Sequence, residues 1–123
     1  MQNYKIKNQV ITEHSLQCQV VKILRLHKIF CFAVLNHGLY SLANNQYKYL
    51  DKCIKEGMIY GIADLICLLE KRTIFLELKV KNNKQTKNQK IFEENVKKIG
   101  YEYYIIRKIE DLNNIFQLNL KKG

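Results

Sequence analysis

The 123-residue sequence contains no proline, no tryptophan and only five glycines. With no proline, no Gly/Ser-rich stretch, no low-complexity segment and no internal repeat, nothing marks a linker or a solenoid array. A chain of this length seldom splits into two cores, so residues 1–123 are expected to form a single domain. Long apolar runs are also missing. The run from Ile29 to Leu35 is far short of the roughly 20 residues that span a bilayer, and the N-terminus has no signal-peptide core. No membrane partner is expected, and a cytoplasmic location, in a bacterial or phage-infected cell, is the corresponding expectation. Only four cysteines occur, at positions 18, 31, 53 and 67. They form no CxxC pair and have no histidine at zinc-finger spacing, so they read as free, mostly buried thiols rather than a disulfide or zinc framework.

Acidic residues are scarce too. Asp and Glu total 11 against 21 Lys and Arg, a formal charge of +10. That balance favours a polyanionic partner, nucleic acid first. Eighteen of the 21 cations are lysine, as an A/T-rich genome would encode. Such a bias would raise glutamate as well, and the eight glutamates leave part of the lysine excess to be explained by a phosphate-facing surface.

Hydrophobic periodicity and glycine punctuation give the elements. Thr12 caps a helix in which Leu16, Val20, Ile23 and Leu24 recur at three- and four-residue steps, running to about His27. Ile29 to Leu35 reads as a strand, ended by a turn at Asn36-His37-Gly38. Asn44 or Asn45 starts a second helix through Tyr47, Leu50 and Ile54 that Gly57 closes. Asp64 to Leu69 and Thr73 to Val80 form a hairpin about Glu70-Lys71-Arg72. A third helix spans about Lys84 to Ile99, with Ile91, Phe92, Asn95 and Ile99 on its inner side and Gly100 as its stop. Tyr101 to Ile106 is a strand, Lys108 to Asn114 a short helix, and Phe116 to Leu120 an edge strand. Tyr101, Tyr103 and Tyr104 are expected in the core, with Tyr103 and Tyr104 on opposite sides. The order, roughly αβαββαβα, implies an α/β fold with a mixed central sheet flanked by helices on both faces.

Alternation along Thr73 to Val80 sends Glu77 and Lys79 to one face and Ile74, Leu76, Leu78 and Val80 to the other. In a hairpin turning near Lys71, opposed residues have numbers summing to about 141 or 142, which sets Asp64 across from Glu77 or Leu78. Two carboxylates then converge, and a hard divalent cation bound by oxygen is the natural occupant between them. Lys79, Lys81, Lys84, Lys87, Lys90, Lys97 and Lys98 cluster around the third helix as candidate phosphate contacts. His14, His27 and His37 have no mutual spacing of a ligand set.

The constellation Glu13, Gly61-Ile62-Ala63-Asp64, Glu77-Leu78-Lys79 and Gln89, followed by the strand Tyr103-Tyr104-Ile105-Ile106-Arg107, resembles the VRR-NUC nucleases of the PD-(D/E)xK superfamily. The resemblance implies a restriction-endonuclease-like core. It implies Mg²⁺ (or Mn²⁺) held by Asp64, Glu77 and the backbone carbonyl of Leu78, with Glu13 acting through water or on a second metal. Lys79 would orient the attacking water or stabilise charge on the phosphate, and Gln89 would orient groups at the site. Lys81, Lys84, Lys87 and Lys90 would bind DNA. Stand-alone members imply a homodimeric, structure-selective endonuclease that cuts branched DNA such as four-way (Holliday) junctions in replication or repair. A catalytically silent nucleic-acid-binding module, or a nuclease for linear DNA or RNA, fits the same residues.

Overall fold

The computed structural model describes residues 11–34 and 46–121. The expected turn at Asn36-His37-Gly38 and the expected start of the second helix at Asn44 or Asn45 lie outside them. In chain order the elements are α1 (Glu13–Leu26), β1 (Phe30–Ala33), α2 (Gln46–Lys55), β2 (Leu65–Leu69), β3 (Arg72–Leu78), α3 (Lys87–Ile99), β4 (Glu102–Ile106) and α4 (Leu112–Phe116). A 3₁₀ turn, Ile109–Asp111, precedes α4. This is the expected αβαββαβα order.

The four described strands form one mixed sheet in the order β1-β2-β3-β4. β1, β2 and β3 are antiparallel neighbours, and β4 lies parallel to β3. A parallel pair needs a crossover, and α3 supplies it. Leu65 lies opposite Leu76 and Leu69 opposite Arg72, so the hairpin turn is reduced to Glu70 and Lys71.

Alternation along each strand gives the sheet two apolar faces. On one, Leu16, Val20 and Leu24 of α1 and Leu112 and Ile115 of α4 pack with Cys31, Leu65, Cys67, Ile74, Leu76, Leu78 and Ile106. On the other, Phe92 and Val96 of α3 meet Ala63, Phe75, Tyr103 and Ile105. Phe92 stands edge-on to both Phe75 and Tyr103, with ring centroids 5.3 and 6.2 Å away. Tyr103 and Tyr104 take opposite faces, as alternation requires.

Four expectations are corrected. Helix α3 begins at Lys87, not Lys84, because the Thr86 hydroxyl accepts the Gln89 N–H and the Gln89 side chain accepts the Thr86 N–H, a reciprocal capping box. Its inner residues are Phe92 and Val96, whereas Ile91, Asn95 and Ile99 are exposed. The aromatic contacts of Phe92 set the rotation of the helix. No strand forms over Phe116 to Leu120: Gln117 turns left-handed at φ 55°. The Asn113 amide then grips Leu120, donating to its carbonyl and accepting from its N–H, while Leu118 and Leu120 pack on the core. Tyr101 is half exposed rather than in the core. All four cysteines are free, Cys31 and Cys67 buried and Cys18 exposed.

Arg72 fastens the end of β3 to its surroundings. Its guanidinium donates to both oxygens of Glu102, at 2.7 and 2.6 Å, and to the Ile115 carbonyl at 3.1 Å, joining β3, β4 and α4. Those hydrogen bonds hold the Glu102 carboxyl below its ordinary range. Such a pair stabilises the fold above the unfolded carboxylate pKa and ceases to as pH falls through the lower folded value. Both groups are partly solvated, which limits the gain. Arg72→Ala is therefore expected to cost about 1–2 kcal/mol at pH 7 and much less at pH 3, measured by urea denaturation; an equal loss at both pH values would contradict the assignment.

Candidate metal and nuclease site

The candidate site residues meet where β2 begins and β3 ends. The register that pairs Leu65 with Leu76 sets Asp64 across from Glu77, one of the two alignments the sequence allowed. Asp64 does not splay into solvent: its Oδ2 accepts the backbone N–H of Leu78 at 2.8 Å. A strand residue sends its N–H and C=O to the same edge. The Leu78 carbonyl thus leaves β3 on the Asp64 side, while Lys79 donates its own N–H to Ile106 on the β4 side.

Glu77 and Lys79 are the two charged side chains buried among the described residues, 2% and 7% exposed. Lys79 Nζ lies 3.9 Å from Glu77 Oε2. The same oxygen accepts from Gln89 Nε2 at 3.1 Å. Glu77 Oε1 is buried with no hydrogen-bond partner. Burial, then the neighbouring Asp64 carboxylate, pushes the Glu77 carboxyl up to about 9; Lys79 opposes the shift and the charge of Glu13 adds to it. Glu13, in the first turn of α1, is thus close enough to be felt electrostatically at Glu77.

Gln89 is brought to Glu77 by the loop ahead of β2. Gly61 has a left-handed φ of 81°, and a Cβ there would lie 2.3 Å from the backbone carbon of Asn88 and 2.6 Å from the Gln89 nitrogen. Only glycine lets that loop and the first turn of α3 approach so closely. The sequence marked Gln89 as a candidate site residue, and the Thr86-Lys87-Asn88-Gln89 stretch has the capping-box pattern that orients it, the signal that could have placed the start of α3 at Lys87. Gln85, which no sequence signal marked, donates to Glu93 Oε1 at 2.9 Å and Tyr103 Oη at 3.2 Å, anchoring the segment that enters α3.

Lys81, Lys84, Lys87 and Lys90 are exposed along the β3–α3 connection and the start of α3. Arg107 donates to the Lys81 carbonyl at 3.1 Å, joining this connection to the end of β4. Of the further lysines, Lys97 is taken up by Glu93 at 2.6 Å, and Lys98 is exposed. His14 is exposed with its ring 3.6 Å from the Cys18 sulfur, and no described atom places it against Glu77.

Among the described residues, no three His, Cys, Asp or Glu side chains form a closed metal cage. The donor set is two convergent carboxylates, one buried with an orphaned oxygen. This fits Mg²⁺ or Mn²⁺, hard ions that are held by one or two carboxylates and complete their shell with water and phosphate. It does not fit a structural zinc site.

No protein-family model and no curated protein matches the sequence. A solved structure described as "VRR_NUC domain protein" superposes with a TM-score of 0.67, covering 89% of this chain and 88% of that one at 19% identity. The chain has a VRR_NUC-type fold. In its mixed four-stranded sheet the carboxylate pair lies at the open end of the β2–β3 hairpin.

A folded-state pKa raised above the unfolded value means that ionisation penalises the fold. For Glu77 the penalty is absent below about 4.5 and grows as pH rises toward 9. Glu77→Gln is accordingly expected to raise the thermal stability of the protein in EDTA, by about 1–3 kcal/mol at pH 8 and little at pH 4.5. A wild type as stable as the variant at pH 8 would contradict a buried Glu77 whose ionisation penalises the fold.

Proposed function

We propose that this chain is a single-domain, Mg²⁺- or Mn²⁺-dependent endonuclease that hydrolyses DNA phosphodiesters. The observation that carries the reading is the orphaned Oε1 of buried Glu77, with Asp64 beside it and Lys79 in reach, in a VRR_NUC-type fold. A divalent cation, when bound, supplies Lewis acidity toward a phosphate oxygen and the attacking water.

The remaining work falls to the chain's own groups. Asp64, Glu77 and the backbone carbonyl of Leu78 would hold the ion, and Glu13 would add negative charge from α1. Lys79 is buried beside Glu77, so its ammonium acts in a medium of low dielectric constant, where it stabilises charge developing on the phosphoryl group more than it would in water. Gln89 fixes Glu77 by hydrogen bonding. Lys81, Lys84, Lys87 and Lys90 neutralise flanking phosphates; such contacts confer affinity without base readout.

Selection by shape rather than sequence follows, and branched DNA such as a four-way junction is the substrate we assign, in replication or repair. A homodimer would offer one site to each of two strands. The groove beside α3, whose rim residues Ile91, Ile99 and Tyr101 are exposed, supports a partner surface of this kind. Among the described residues no helix is long and apolar enough to cross a membrane; a cytoplasmic site of action belongs to the same proposal.

The test is cleavage of a labelled four-way junction and a matched linear duplex. Wild type is expected to cut the junction with Mg²⁺ and not in EDTA. Glu77→Ala and Lys79→Ala each lower the rate by at least about 100-fold while junction binding survives. Binding without cleavage by wild type under any divalent cation would instead identify a nucleic-acid-binding module, and equal cleavage by wild type and both variants would refute the assignment of the centre.

A further inference from the structure

Two donors crowd one oxygen of Glu77, and none reaches the other. Gln89 Nε2 lies 3.1 Å and Lys79 Nζ 3.9 Å from Oε2. Oε1 is buried without a partner. The orientation of the Gln89 amide is fixed: its Oε1 accepts the Thr86 backbone N–H at 2.9 Å. A backbone N–H can only donate, so the atom turned toward Glu77 must be the NH₂. The helix turn that carries Gln89 is seated against Gly61, where no Cβ would fit.

Resting on the nuclease reading above, we propose that Gln89 selects which divalent cation the site takes. It occupies Glu77 Oε2 and leaves Oε1 as the single oxygen this carboxylate offers an ion. One-oxygen coordination suits Mg²⁺, which demands near-octahedral geometry at about 2.0–2.1 Å and keeps several waters. Ca²⁺ takes roughly 6–8 oxygens at about 2.3–2.6 Å and accepts a bidentate carboxylate. With the amide removed, both oxygens of Glu77 are open to an ion, and Ca²⁺ has the coordination number to use both. Thr86 acts through Gln89, as a positioning residue: its N–H, rather than its hydroxyl, sets which end of the amide faces Glu77.

The experiment reads binding in the variants, with DNA cleavage by wild type measured separately. Metal-free wild type, Gln89→Leu and Thr86→Val are titrated with Mg²⁺ and with Ca²⁺, followed by thermal midpoint and calorimetry. Leucine removes the donor. Valine at 86 removes the hydroxyl half of the capping box but keeps the N–H that holds the amide, and so reports the loss of capping alone. In Gln89→Leu the ratio of the Mg²⁺ to the Ca²⁺ dissociation constant is expected to rise roughly tenfold, the scale on which outer-shell partners act on metal affinity. Thr86→Val is expected to melt at a lower temperature with the ratio unchanged. Gln89→Met, which preserves side-chain length, replaces the leucine variant if that variant does not fold. An unchanged ratio in a folded Gln89 variant, or the same change in Thr86→Val, overturns the proposal. If wild type still binds Mg²⁺ and cuts DNA, that result leaves the nuclease reading standing. A wild type that neither responds to either ion nor cuts DNA overturns both.

Discussion

The approach of two carboxylates across the open end of the β2–β3 hairpin is the constraint around which the rest of the structure is arranged. Asp64 is tied to the Leu78 N–H, and Glu77 is buried beside it with one oxygen uncompensated. Leaving a buried acceptor unsatisfied costs about 1–3 kcal/mol, and more for a charged group. The fold tolerates that cost because the surroundings fix both groups: the apolar residues of β2 and β3 hold the hairpin register, and α3 closes over the face that Glu77 occupies. Lys79 offsets part of the charge. Under the proposed function this is the expected arrangement, a site poorly satisfied alone and suited to a cation, because local conflict is where function overrides stability.

The two faces of the sheet divide the labour. The face toward α1 and α4 supplies most of the buried core and carries the Arg72–Glu102 pair at one end. The face toward α3 has a smaller apolar cluster, built on Phe75, Phe92 and Tyr103, and beyond it gives way to Glu77, Lys79 and Gln89. Helix α3 therefore serves both packing and the candidate site: Phe92 and Val96 anchor it, its capping box aims Gln89 at the carboxylate, and its first turns present lysines to solvent. Gly61 joins these roles, because the close backbone approach it permits brings α3 near the start of β2.

Much of this was legible in the sequence, for reasons that can be named. Helix starts at Thr12 and stops at Gly57 and Gly100 have local chemical signatures, and the period-2 pattern of β3 assigned Ile74, Leu76 and Leu78 to one face and Glu77 and Lys79 to the other. The hairpin about Glu70-Lys71-Arg72 already set Asp64 opposite Glu77 or Leu78, and the observed two-residue turn selects Glu77. What the sequence did not yield depends on contacts distant along the chain. The rotation of α3 is set by the meeting of Phe92 with Phe75 and Tyr103, and helical periodicity alone favoured Ile91 and Ile99 as inner residues. The apolar stretch after α4 has the composition of a strand, but Asn113 folds it back on the core before it can pair. The burial of Glu77 and the anchoring role of Gln85 likewise emerge only once α3 is in place.

The central claim is that the paired carboxylates form a divalent-cation site. The most direct measurement is anomalous scattering from a crystal of the protein soaked in Mn²⁺. The account predicts a peak within coordination distance of Glu77 Oε1 and the Asp64 carboxylate, absent from Glu77→Gln crystals treated identically. No peak at saturating Mn²⁺, with Glu77 Oε1 still without a partner, would contradict it.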